Sequence, residues 1–325
     1  MGRTKRAIWW WMALLVTLGA AAYQRLTGPT YPVRGRVALG QERLAFKLPR
    51  THAGAGDQVI GLAPVPEGVS GTLFYRRHKT ADSWTAITMG REGETLAGSL
   101  PYQPPGGKLA YWISLRPAAN EPSDVANGPG PMPDPSSGLA SDQAADLADE
   151  VPGGVSSRTM DPVANQAASG AVSIPPRPPV VIRFRGAVPG AALIPHIIFM
   201  FAGMLWSNRA GMEAMRRHGA PRSYILPSLG MLLAGGLVLG PVVQWYSFGE
   251  AWTGFPVGHD LTDNKTLIAV LAWAGAALFG RRAPRAWAGA AALVTFLVFI
   301  IPHSTLGTEL DYSTLPDATS GPRAP

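Results

Sequence analysis

Apolar residues crowd the first 23 positions and the stretch from 188 onward, and short apolar–polar alternations lie between them. A helix needs about 20 apolar residues to cross a bilayer core. Five stretches approach that length: 7–23, 188–206, 224–245, 266–280 and 286–301. The fourth is short and spans only with help from its flanks or a thinned bilayer. Residues 7–23, AIWWWMALLVTLGAAAY, follow a basic cytoplasmic start at 1–6. They are longer than a cleavable signal core and contain a Trp triplet, so they are expected to stay as a signal anchor.

From 28 to 116 the pattern changes to period two. Leu44, Phe46 and Leu48 alternate with polar neighbours, as do Leu109, Tyr111, Ile113 and Leu115. Strands are expected at 73–77, 84–89, 95–100 and 108–115, separated by Gly- and Pro-containing turns. That spacing indicates an antiparallel β-sandwich. The run TLFYRRHKTADSWTAITMGREGETLAGSLPYQPPGGKLAYWISL resembles an immunoglobulin-like or fibronectin type III-like module. The resemblance implies a sandwich fold and leaves the ligand open.

Residues 117–178 are rich in Pro, Gly, Ser, Ala and Asp and lack aromatic side chains. Such a tract cannot bury enough apolar surface to offset chain entropy, so it reads as a disordered acidic linker. PVVIRFRG at 179–186 is β-like again and is expected to be the last strand of the sandwich, leading directly into the second span. The fold class is thus an N-terminal transmembrane helix, an extracytoplasmic all-β sandwich and a C-terminal four-helix transmembrane bundle. In span three, Gly236 and Gly240 form a G-x-x-x-G pair that favours close helix packing.

Charge orients this arrangement. Arg3, Lys5 and Arg6, then Arg209, Arg216, Arg217 and Arg222, then Arg281, Arg282 and Arg285 fall on one side, against Lys265 alone in the short connection opposite. Positive-inside makes that side cytoplasmic. The β-domain, the 246–265 loop and the 302–325 tail then lie outside. Ala, Gly and Arg usage points to a GC-rich bacterium, which makes "outside" the periplasm of an inner-membrane protein. The net charge of +7 is explained by these flanks. No nucleic-acid-binding signature accompanies it. The chain has no Cys, which excludes disulfides, thiolate catalysis and covalent c-type haem.

The connection between spans three and four is unusually rich in recognition groups: Trp252, His259, Asp260, Asp263 and Lys265, beside Trp245, Tyr246 and Glu250. Thr262 or Asp263 is placed to cap the next helix. Trp245, Tyr246 and Trp252 suit an interfacial belt. Lys265 could pair with Asp260 or Glu250, or snorkel outward. His196 and His303 each follow an Ile-Pro pair within or at the end of a span. Intramembrane His is a functional candidate. One alternative is a b-type haem or a divalent metal held by His196, His259, His303 and Asp263, with Glu309 and Asp311 near. Another is that each His holds a carbonyl freed by its neighbouring Pro. No catalytic fingerprint occurs. The leading expectation is a non-enzymatic binding or assembly component of the envelope, embedded in the lipid bilayer and meeting another envelope protein. The alternatives are a haem or metal redox protein and a small transporter component.

Overall fold

The computed structural model describes residues 3–40, 42–117, 171–177, 179–302, 310 and 312. The chain opens with helix α1 (Arg3–Thr27). Strands β1 (Val33–Leu39), β2 (Glu42–Leu48), β3 (Thr51–Ala53), β4 (Gln58–Leu62) and β5 (Val69–Arg77) follow. Then come β6 (Thr85–Thr88), β7 (Gly90–Glu92), β8 (Thr95–Leu100), β9 (Lys108–Pro117), β10 (Val172–Ile174) and β11 (Val180–Arg185).

The strands make a β-sandwich-like region. One sheet has the order β3-β11-β9-β5-β6 and a second the order β4-β8-β7, while β1 and β2 form a hairpin. Leu44, Phe46 and Leu48 turn inward as their alternation predicts. They join Leu73, Leu96, Leu109, Ile113 and Phe184 in one core.

β9 is the central strand. One edge pairs with β5, and the other is shared end to end by β10 and β11. Its second face is buried too, because Trp112 stacks on Phe74 at 4.5 Å and meets Trp84 edge-on. Val180–Arg185 therefore joins the sheet as a strand between β9 and β3, parallel to the latter. Val172–Ile174 is also a strand, although the sequence places it in the linker. Its three residues form a short ladder with Leu115, Ser114 and Ile113. The rest of the linker tract, 118–170 and 178, lies outside the described residues.

The C-terminal part is helical: α2 (Gly190–Met215), α3 (Arg222–Leu232), a π-helical segment (Leu233–Leu239), α4 (Gly240–Phe248), α5 (Leu261–Phe279) and α6 (Pro284–Ile300). Three helical stretches are long and apolar enough to cross a membrane: Arg6–Thr27, Gly190–Met215 and Arg222–Phe248. They mark a membrane protein. Pro284–Ile300 is a shorter apolar helix.

Second-span boundaries differ from expectation. Residues 207–215, expected as a loop, continue α2 for more than two turns. Several of their polar groups pair within the protein. Asn208 donates to Thr17 Oγ1 at 3.0 Å, and Arg209 donates to Glu213 at 2.7 Å. Arg216 pairs with the same carboxylate. The Trp triplet locks α1 onto this end: Trp10 packs edge-on against Trp206, and the Arg209 guanidinium lies over Tyr224 at 4.9 Å.

The β-region and the helices meet at a tight junction. Gly186 N–H donates to Ser247 O at 2.9 Å. Arg183 lies over the Phe248 ring at 4.1 Å. A Cβ on Gly186 would stand 2.1 Å from Tyr246 O, so only glycine fits. Gly186→Ala is expected to destabilise the protein by about 1–3 kcal/mol, as overpacking does. A lowered thermal midpoint with new proteolysis near 186–190 is the readout; wild-type behaviour would mean the junction has slack.

Candidate functional site

The loop between α4 and α5 is folded back on the helix that follows it. Asp260 caps α5 by accepting from Thr262 N at 2.7 Å. This corrects the expectation that Thr262 or Asp263 would be the cap. Asp260 is the residue in extended backbone one step before the helix, where a short carboxylate reaches the second amide.

Asp263 faces the loop instead. It is buried and accepts from Thr253 N at 2.7 Å, Thr253 Oγ1 at 3.2 Å and Gln244 Nε2 at 3.1 Å. Burial raises its pKa, and the hydrogen bonds from Thr253 and Gln244 oppose that rise. Asn264 Oδ1 accepts from Phe255 N at 2.7 Å. Trp252 closes the turn by donating to Phe255 O at 3.1 Å. Much of the polarity that singles out this loop therefore holds its own backbone.

Lys265 neither pairs as an ion with Glu250 nor snorkels outward. It is 4% exposed and donates to Ile301 O at 2.7 Å, at the C-terminal end of α6. A cation at the carbonyl-rich end of a helix satisfies orphan acceptors and suits the helix dipole. Burial lowers its pKa to about 8, with the nearby Asp260 charge pulling the other way.

His196 also differs from expectation. It does not hold a carbonyl of its own Pro195-containing turn. Its Nδ1 lies 2.8 Å from Gly235 O on the neighbouring π-helical segment. A π turn widens the backbone ladder and makes such a carbonyl available. Gly236 beside it has no room for a side chain, because a Cβ would stand 2.3 Å from Thr266 Cγ2.

Several of these residues converge on a cavity of about 140 Å³ at the junction of β11, α2, α4 and α5. His196, Gln244, Asp260, Asp263 and Arg183 all line it. Thus three of the sequence candidates, His196, Asp260 and Asp263, meet there. His259 is exposed and lines no part of it. Trp252 and Lys265 sit apart, in the loop turn and at the α6 end. His303, Glu309 and Asp311 lie outside the described residues. Among the described residues no group of three His, Asp or Glu is arranged to hold a metal ion. Arg183 and Gln244 were not legible as site residues. Arg183 comes from a strand whose docking onto α4 no local pattern announces.

A second, apolar cavity of about 280 Å³ adjoins the first, between α1, α2, α4 and α6. His196, Met200 and Val243 line both. The chain matches no protein-family model, no curated protein and no solved structure.

Proposed function

We propose that the chain is a multi-pass bacterial inner-membrane protein that presents an immunoglobulin-like or fibronectin type III-like sandwich on the periplasmic face to another envelope protein, without catalysis. The carrying observation is a clamp with two jaws. At one, Gly186 and Arg183 tie β11 to the end of α4. At the other, the tail returns to the sandwich: Leu310 N–H donates to Gly106 O at 3.1 Å, and Lys108 N–H donates to Tyr312 Oη at 2.8 Å. A module held at two points loses little further freedom on binding, which favours presentation to a partner.

Orientation rests on the arginines. Arg209 is buried against Glu213, so its weight as a topological signal falls. Arg216, Arg217 and Arg222, with Arg281, Arg282 and Arg285, still favour the same side. Helices α2 to α6 then act as a four-helix bundle, with α3, the π segment and α4 counted as one span. The exposed edge strands β6 and β7 offer unpaired backbone to a partner.

The absence of native Cys makes the test clean. Glu67→Cys should react with a membrane-impermeant maleimide when the outer envelope is opened, and Arg281→Cys only after lysis. The reverse pattern would overturn the orientation. Photocrosslinkers at exposed Thr88 and Arg91 should capture one discrete envelope protein in cells, and deleting 28–186 should abolish it. Capture that survives the deletion would sink the binding role.

A further inference from the structure

The adjoining cavities differ in chemistry and share a wall. Leu193, Ile197, Phe201, Met204 and Phe299 make the larger one apolar. Its two polar lining residues are Gln24 and His196. Gln24 donates to Phe299 O and Ile301 O at 2.9 and 3.1 Å, and His196 is engaged with Gly235 O. The floor thus offers little polarity to a ligand. Ile197 and Phe201 are each 43% exposed, so the cavity communicates with the surroundings of α2, which is long and apolar enough to lie in a bilayer. Methionine walls adapt to a flexible chain.

The smaller cavity adds charged groups to apolar walls. Arg183 contributes one guanidinium, Asp260 and Asp263 contribute two carboxylates, and Gln244 and Ser247 add neutral polar groups. A lone phosphate would gain the guanidinium and meet both carboxylates. A lone ammonium would gain the carboxylates and meet the guanidinium. A group carrying both signs complements both halves.

We propose that the two cavities form one lipid site, in which an acyl chain enters the apolar cavity and a headgroup bearing both a phosphate and an ammonium occupies the one with charged groups. His196, Met200 and Val243 form the neck between them. The volume of about 280 Å³ lies near the lower end for small-molecule pockets, which suits a single chain. The headgroup would sit beneath β11, so lipid occupancy would brace the sandwich against the helices.

The test uses the full-length protein in detergent, titrated with chain-matched phosphatidylethanolamine, phosphatidylglycerol and water-soluble glycerophosphoethanolamine, with adducts read by native mass spectrometry. Phosphatidylethanolamine should be retained over phosphatidylglycerol by about tenfold, the ratio for one extra satisfied charge pair worth roughly 1.4 kcal/mol. Asp260→Asn, which keeps the α5 cap, should narrow that preference, and Arg183→Gln should lower retention of both lipids. Val243→Trp, which fills the neck without touching the charged groups, should reduce retention of both lipids while circular dichroism stays unchanged. Equal retention of the two lipids would overturn the headgroup half. Equal binding of the soluble headgroup, or unchanged retention in V243W, would overturn the acyl half.

Discussion

Glu213→Ala should be the most destabilising single substitution in the helical part, costing about 3–5 kcal/mol, the range for removing one partner of a buried ion pair. Glu213 is 6% exposed and receives Arg209 on one oxygen and Arg216 on the other. Arg209 is 1% exposed, and among the described residues its Nε and Nη1 have no hydrogen-bond partner. Among the described residues, Glu213 and the faces of Tyr224 and Trp10 compensate that guanidinium. Removing the carboxylate strands a buried cation. Glu213→Gln keeps the shape and loses the charge, so it should fall between alanine and wild type. The double variant Arg209→Met with Glu213→Leu should recover much of the loss, because a matched apolar pair carries no desolvation penalty. Thermal unfolding in detergent micelles orders the four proteins. An E213A midpoint equal to wild type would show that the pair contributes nothing net.

Asp263→Ala should release the loop between α4 and α5. The carboxylate answers three donors, and leaving buried donors unpaired costs about 1–3 kcal/mol, more where a charge is involved. Chymotrypsin should then cut after Trp252, whose indole the wild-type turn engages with Phe255 O. Resistance equal to wild type would mean that Asn264 and Trp252 hold the loop without Asp263. A pH series adds a sign. The folded-state pKa of Asp263 is raised, so the native protein binds more protons than the unfolded chain between the two values. Its contribution is fully present below the unfolded carboxylate value of about 3.9 and is lost as pH rises through the folded value. Asp263→Asn should flatten stability in that window.

Period two in β2 and β9, and the apolar lengths of α1, α2 and the Arg222–Phe248 stretch, were legible because burial is written directly into residue order. The burial of both faces of β9 was not, since Trp112 is covered by Phe74 and Trp84 from elsewhere in the chain. The end of α2 was misjudged for a related reason. Charged residues at 209, 213 and 216 look like a solvated loop until the helical spacing brings them onto one another. In the 246–265 loop, composition flagged the right neighbourhood. It could not separate Asp263 and Asn264, which hold the loop, from His196 and Arg183, which reach the same cavity from distant elements. Lys265 is the clearest case: its partner lies 36 positions away, at a helix end whose approach only the tertiary packing sets.

The placement of β9 also dictates an order of events during synthesis. Its β5 edge can zip at once, since residues 69–77 emerge first. Its other edge must wait for 172–174 and 180–185, across the long tract after Pro117, and closing so large a loop carries an entropic cost that grows slowly with its length. The Tyr312 latch on Lys108 comes later still, after every helix has been made. The nascent sandwich therefore passes through an interval with one bare edge on its central strand. In that interval a chaperone could pair with it, and arrival of 180–185, just ahead of α2, ends the exposure.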